Sequence, residues 1–314
     1  GWNLVGNGGT DPATNFIGTT DAQPLVFKVG GMAAGRLEPA AAVGNTSLGT
    51  GSLLANTTGT LNTANGFQSL TGNNTGYYNT ATGFQSMFSN TSGNSNTAVG
   101  TAAMYHETAG NSNSALGYRA LYTDSTGNGN TATGAAALYA NYTGTGNTAS
   151  GNNALRTNRS GSYNTAIGYQ PMYSSTSGSS NVAVGVRALY LNTARGNLVA
   201  IGDSALYNNG VGAADDDEIE GIYEAHDNTA VGSKSLYANT RGTANTAIGS
   251  SALRLNTASS NNTAVGGYAL QNNTGASNTA VGRLALANNT SAANNTAMGD
   301  AALLSNTGGN NTAV

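Results

Sequence analysis

A five-residue motif, Asn-Thr-Ala-Val-Gly, recurs along most of this chain, as at Asn96–Gly100 and Asn262–Gly266. Successive closing glycines are almost always 17 residues apart, as from Gly49 to Gly66 (66 − 49 = 17). The closing glycines are Gly49, Gly66, Gly83, Gly100, Gly117, Gly134, Gly151, Gly168, Gly185, Gly202, Gly232, Gly249, Gly266, Gly282 and Gly299. A fixed period of this length is typical of a solenoid, which grows by adding coils instead of enlarging one core.

Two columns of apolar residues run through the repeat. The fourth residue after each closing glycine is always Leu or Met, which predicts an interior column. Its central members, predicted as structural core, are Leu121, Leu138, Leu155, Met172, Leu189 and Leu206. The residue before the glycine is usually Val or Ile. If both segments are strands, side chains alternate between faces, so Val and Leu are expected inside while Ala and Tyr lie outside.

The composition of each coil favours strands over helices. Each 17-residue unit carries about two glycines and several Asn and Thr residues, all poor in helix interiors. Two short strands per coil joined by Gly/Asn turns fit better, and one helical turn around Ala-Leu-Tyr stays open as an alternative. Recurring Asn residues suit corners and can form hydrogen-bonded ladders between coils. We therefore predict an all-β, parallel β-solenoid (β-roll) of about sixteen coils over residues 45–314.

Residues 1–44 do not follow the repeat. Pro24–Val29 is rich in β-branched and aromatic residues and is bounded by Gly18–Asp21 and Gly30-Gly31, which are turn signals. This pattern predicts a strand within a small N-terminal β cap. A solenoid needs such a cap to protect its open end from edge-to-edge pairing.

A column of tyrosines follows the Leu column, one residue later in each coil. A coil this short encloses only about two large apolar side chains, worth roughly 2 kcal/mol each, so a single slender solenoid would be marginal. We expect side-by-side association into a parallel homotrimer, with Tyr122, Tyr139, Tyr190 and Tyr207 at interchain contacts. The alternative is an exposed aromatic stripe that binds a ligand.

The motif resembles the head repeat of YadA-like trimeric autotransporter adhesins, Asn-Ser-Val-Ala-Ile-Gly. Asn197–Gly202, which reads Asn-Leu-Val-Ala-Ile-Gly, is most similar to it, and Asn181–Gly185 also matches. The resemblance implies a left-handed parallel β-roll with three chains side by side, although the period here is longer. Asn15–Val29 and Ala34–Pro39 resemble the segment that precedes such repeats in bacterial and phage tail-fibre-like proteins.

One insertion breaks the array. Gly202 and Gly232 are 30 residues apart (232 − 202), and the added stretch, 213–225, is strongly acidic. Its carboxylates are expected to bind a cation, with Ca²⁺ the ion they would favour, or a partner. The residues predicted for this site are Asp215, Asp216, Asp217, Glu218 and Glu220. The alternative is a solvated acidic loop. No other cofactor is expected.

The composition limits the classes of function that are open to this chain. A net charge of −3 gives no basic surface for nucleic acid, and no apolar run is long enough to span a membrane. No nucleophile or metal-ligand spacing appears, and His106-Glu107 is expected to lie exposed at a coil corner. The sequence thus predicts a non-enzymatic extracellular fibre or adhesin on a cell or virion surface, which attaches to a receptor or glycan. The alternative is a module that binds ice or an ordered glycan through a flat Thr/Asn face.

Overall fold

A computed structural model describes residues 8–9, 11, 17–39, 43–212 and 224–314. Over these residues the chain forms one parallel β-solenoid preceded by a hairpin, and no helix occurs in them. The fold class predicted from the period is confirmed. The insertion residues 213–223, which include all five predicted cation ligands, lie outside the described part.

The hairpin consists of β1 (Leu25–Val29) and β2 (Met32–Leu37), paired antiparallel. Strand β2 also pairs antiparallel with β3 (Thr46–Leu48), the first strand of the solenoid. The hairpin therefore covers the hydrogen-bonding edge that β3 would otherwise leave open, which is the role expected of a cap. Beside it, a cavity of about 340 Å³ opens into the end of the first coil, and Leu53 at its rim is only partly buried.

Each coil contributes one short strand, and not the two that we predicted. Consecutive strands pair in parallel and in register, so that Ala166 lies opposite Ala149 on one side and Ala183 on the other. The remaining strands are β4 Thr63–Asn65, β5 Thr80–Thr82, β6 Thr97–Val99, β7 Ser114–Leu116, β8 Thr131–Thr133, β9 Thr148–Ser150, β10 Thr165–Ile167, β11 Val182–Val184, β12 Val199–Ile201, β13 Thr229–Val231, β14 Thr246–Ile248, β15 Thr263–Val265, β16 Thr279–Val281, β17 Thr296–Met298 and β18 Thr312–Ala313.

The middle residue of the strand faces the interior, which corrects our assignment of Val to the core and Ala to the outside. The strand alanines have no exposed surface in the central coils, whereas the flanking Thr and Val or Ile side chains are half-buried or exposed. The Leu column does lie inside: Leu121, Leu138, Leu155, Met172, Leu189 and Leu206 are all fully buried. The interior of a coil thus holds one large apolar side chain, not two.

The Ala-Leu-Tyr segment is a series of turns, in which both Ala and Leu face inward. Leu121 has φ = 51°, and the residue two before it, Arg119, has φ = 52°. Left-handed residues break the alternation of an extended strand, so Ala120 and Leu121 are both fully buried although they are adjacent. The two left-handed residues donate hydrogen bonds between coils: Arg119 N–H donates to Thr101 O of the preceding coil, and Leu121 N–H to Ala137 O of the following one.

Two columns of asparagine fill the rest of the interior. One precedes each strand: Asn164 Nδ2 donates to Gly178 O at 2.8 Å, and its Oδ1 accepts the Asn181 N–H at 3.0 Å. The other lies seven residues after the closing glycine, where Asn158 Nδ2 donates to Asn141 Oδ1 at 2.6 Å. The ladders expected from the repeated Asn are therefore present, and they run through the core, where each bond ties one coil to the next.

The acidic insertion leaves the stack of coils undisturbed. Strand β12 pairs directly with β13, with Val199 opposite Thr229. Asn209 keeps its ladder position and donates from Nδ2 to Ala225 O at 2.9 Å. Ala225 is fully buried and belongs to the coil, so the described residues on the two sides of the insertion stack as regular coils.

Candidate binding faces

The outward side of the parallel sheet is one surface without charged side chains. It is formed by the first and third residues of the strands from β3 to β17 and by the first residue of β18, and we call it the Thr–Val face. The first residue is Thr in most coils, and the third is most often Val or Ile. Sixteen strands about 4.8 Å apart make this face roughly 70 Å long. No Asp, Glu, Lys or Arg occurs in either column.

The third-position side chains leave much apolar surface exposed. Leu116 is 54% exposed, Ile167 42% and Ile248 41%. In a few coils this position carries a second hydroxyl instead, as in Thr80-Ala-Thr82 and Thr131-Ala-Thr133. Aligned apolar residues over such a length make this face a candidate interaction surface. Our strand assignment missed this face because we placed Val inside.

The tyrosine column forms two stacks of rings on another side of the solenoid. Tyr122 and Tyr139 have ring centroids 5.0 Å apart and planes 6° from parallel. The same packing joins Tyr173, Tyr190 and Tyr207 farther along. These rings cover each other's faces within one chain, so mainly their edges and hydroxyl groups remain available. Their predicted contact with other chains stays a prediction.

An arginine fills the gap in the stack. The Arg156 guanidinium lies 5.1 Å from the centroid of Tyr139 and 5.6 Å from that of Tyr173, and Nη1 donates to the Tyr173 hydroxyl at 3.3 Å. A planar cation between two rings preserves the stacking and adds cation–π attraction. Arg156 interrupts the tyrosine column in the sequence, whereas in the structure it bridges the two halves of the stack.

Two carboxyl groups lie inside the solenoid. Glu107 and Asp124 both occupy the Asn column that follows each closing glycine by seven residues, and both are fully buried. Our expectation that His106-Glu107 lies exposed is correct for His106, which packs on Tyr105 and Tyr122, and wrong for Glu107. The column position was the signal: 100 + 7 and 117 + 7 are Asn positions in the repeat.

The described residues offer no metal cluster and no membrane span. Within residues 17–39, 43–212 and 224–314, no three His, Asp or Glu side chains come together as metal ligands. The same part of the chain contains no helix long and apolar enough to cross a membrane. Binding by Asp215–Glu220 remains a prediction. No known protein family, curated protein or solved structure matches this chain.

Proposed function

We propose that this chain is the shaft of a non-enzymatic extracellular fibre, which assembles side by side with copies of itself and projects from a cell or virion surface for attachment. The Thr–Val face carries the proposal. It runs the full length of the solenoid, has no charge in either column, and carries a half-buried or exposed Val, Ile or Met at the third position of every strand from β10 to β17. A single chain does not cover this surface.

Copies of the same chain fit this face better than an unrelated globular partner. Identical solenoids share one rise per coil, so their side-chain columns stay matched along the whole contact. Most homo-oligomers have closed symmetry, and copies of one face can meet around a rotation axis that runs parallel to the solenoids. The resemblance to trimeric adhesin heads favours three parallel chains. Burying the Val and Ile column between them would add the second core that a coil with one large apolar residue lacks.

Charge substitution on the face tests this assembly. Ile201→Lys combined with Ile248→Lys places like charges, repeated in every chain, where side chains now are 39% and 41% exposed. We expect native mass spectrometry to show a trimer for the wild-type chain and a monomer for this double variant. Burying unpaired ammonium groups at a contact is strongly unfavourable.

The control pair is Tyr142→Lys with Leu255→Lys. These side chains are 42% and 45% exposed and lie outside the Thr–Val face. Leu255 follows a tyrosine-column position, so this pair also probes that side of the solenoid. The control variant should remain trimeric. A wild-type monomer at micromolar concentration would contradict the assembly, and dissociation of only the control pair would move the contact to the tyrosine side.

A second candidate function has one specific observation in its favour. Thr63, Thr97 and Thr131 are exposed at the first strand position, aligned at the constant spacing of a flat sheet. Such a regular hydroxyl array suits an ordered surface such as ice or a crystalline glycan. A wild-type chain that is monomeric and adsorbs to one of these surfaces would support this function over the fibre.

A further inference from the structure

The side chains of the second Asn column, which follow each closing glycine by seven residues, share one hydrogen-bonding pattern. We call the side chain that each coil contributes to this column a rung. In most coils the side-chain Nδ2 of Asn donates to the Oδ1 of the preceding rung, as from Asn90 to Asn73 at 2.6 Å and from Asn158 to Asn141 at 2.6 Å. The same Nδ2 also donates to the backbone carbonyl three residues later, as from Asn158 to Gly161 at 2.8 Å. Each rung therefore supplies a donor backward and an acceptor forward.

Glu107 and Asp124 replace two consecutive rungs of this column. Both carboxyl groups accept hydrogen bonds within their own coils. Glu107 Oε1 accepts the Gly110 N–H at 2.5 Å, and Asp124 Oδ1 accepts the Gly127 N–H at 2.7 Å. Asp124 Oδ2 also accepts from Asn141 Nδ2 of the next rung at 3.2 Å. The acceptor half of the pattern is thus preserved at Asp124.

The donor half fails at Glu107, which has no amide hydrogen to give to the preceding rung. Asn90 is fully buried and its Nδ2 bonds back to Asn73, which leaves its Oδ1 to accept from the next rung, that of Glu107. This oxygen has no hydrogen-bond partner. Among the described residues one other buried Asn oxygen is in the same state, that of Asn158, and the next rung there is Ser175 instead of Asn. An unpaired oxygen arises where the following rung lacks an amide.

A carboxyl group can act as a donor only when it is protonated. We propose that Glu107 and Asp124 form a buried proton-binding site, in which a proton on Glu107 is donated to Asn90 Oδ1 and completes the ladder. The proton takes the place of the amide hydrogen that Asn supplies in the other coils. With Asp124 also protonated, the chain of donors would run without a break from Asn141 to Asn90.

The electrostatic environment favours the bound proton. Burial, followed by the charge of Asp124, raises the pKa of Glu107 to about 9, and burial raises the pKa of Asp124 to about 7. Other ionisable groups on these coils lie on the outer surface: the tyrosine stack with Arg119, and His106 packed against it. Arg195, a buried cation, belongs to a coil several rungs away. No cation of the described residues faces the pair.

The sign of the pH dependence follows from these raised pKa values. In the unfolded chain the two groups ionise near their ordinary values of 4.5 and 3.8, whereas the folded chain holds protons at higher pH. Folding therefore binds protons, and its stability is full below about pH 4 and declines as the pH rises toward 9. In the pH range where folding takes up one proton, the unfolding equilibrium constant should rise about tenfold per pH unit.

The test compares the full chain with the double variant Glu107→Gln, Asp124→Asn. Each amide has nearly the shape of the protonated acid and can donate a hydrogen bond to the preceding rung. Unlike the acid, it does not lose its hydrogen as the pH rises. Denaturant titrations at pH 5, 7 and 9 should show the wild-type midpoint fall with pH and the variant midpoint stay higher at pH 9. Equal pH dependence in both proteins would overturn the proposal.

A spectroscopic readout keeps the test decisive if the variant folds poorly. Infrared difference spectra of the wild-type chain at pH 7 should contain the carbonyl band of a protonated, buried carboxylic acid. Glu107→Gln alone should remove or shift that band. A wild-type spectrum in which all carboxyl groups are ionised at pH 7 would refute a bound proton.

Discussion

Leu189→Asn is expected to destabilise the solenoid by about 4 kcal/mol, since it removes a buried aliphatic side chain and leaves a polar group without a partner. Leu189 has no exposed surface and lies in the interior column between Met172 and Leu206. Asn tolerates the left-handed backbone well, so the loss would report on the core and not on backbone strain. Guanidinium titration followed by circular dichroism measures it.

Two further substitutions at Leu189 separate the effect of side-chain volume on stability from the effect of backbone conformation. Leu189 has φ = 52°, a region in which β-branched residues are rare. Leu189→Met should cost less than about 1.5 kcal/mol, because Met occupies this column in other coils and the volume is conserved. Leu189→Ile should cost about 2 kcal/mol more than Met, from strain at positive φ. An unchanged midpoint for Leu189→Asn, or equal midpoints for Met and Ile, would contradict the assignment.

The second large effect is expected at a closing glycine. Gly168 has φ = 132°, and a Cβ built there would lie 2.5 Å from the Gly185 carbonyl oxygen of the next coil. Gly168→Ala must therefore strain the backbone and push two coils apart. We expect a loss of about 4 kcal/mol or more, because strain at such a φ alone costs about 1–3 kcal/mol.

Two other glycines provide matched controls. Gly299 has φ = 128°, but the nearest atom to its added Cβ is the Ala302 Cβ at 3.9 Å, so Gly299→Ala tests backbone strain without the clash. A Cβ at Gly267 meets nothing within 4 Å, and Gly267→Ala should be nearly neutral. Denaturation midpoints should fall in the order Gly267, Gly299, Gly168. Equal losses at Gly168 and Gly299 would show that close approach of the coils does not select glycine.

The period alone was sufficient to predict the solenoid. Fixed spacing gives stacked coils, and a column restricted to Leu and Met marks the interior. The structure supplies a further reason for that restriction. Leu121 and its equivalents have φ near 50°, where Val and Ile would be strained, so the column excludes β-branched residues although the interior would accept them.

The faces of the strand could not be assigned by alternation alone. Alternation fixes that Thr97 and Val99 share a face opposite Ala98, but it does not say which face is inside. We chose the larger side chain for the core. The two Asn columns and Leu already fill a coil of 17 residues, and only Ala fits beside them. Hydrophobicity therefore predicted Val in the interior, whereas the small volume available inside the coil accommodates Ala.

The buried acids were missed for a related reason. We took Glu107 as a corner residue because charged side chains are seldom fully buried. Its place in the Asn column was visible in the sequence, but the burial of that column was not, since Asn in a turn is usually exposed. Once the ladder is known to run through the core, Glu107 and Asp124 are recognised as substituted rungs.

Assembly through the Thr–Val face is tested most directly by single-cysteine variants, since the chain contains no Cys. In a parallel trimer closed through this face, Ile248→Cys should resist thiol labelling and form disulfide-linked chains on mild oxidation. Leu255→Cys, of similar exposure in a single chain, should label fully and remain unlinked. Equal labelling of both variants, with no crosslinked species from Ile248→Cys, would contradict the assembly.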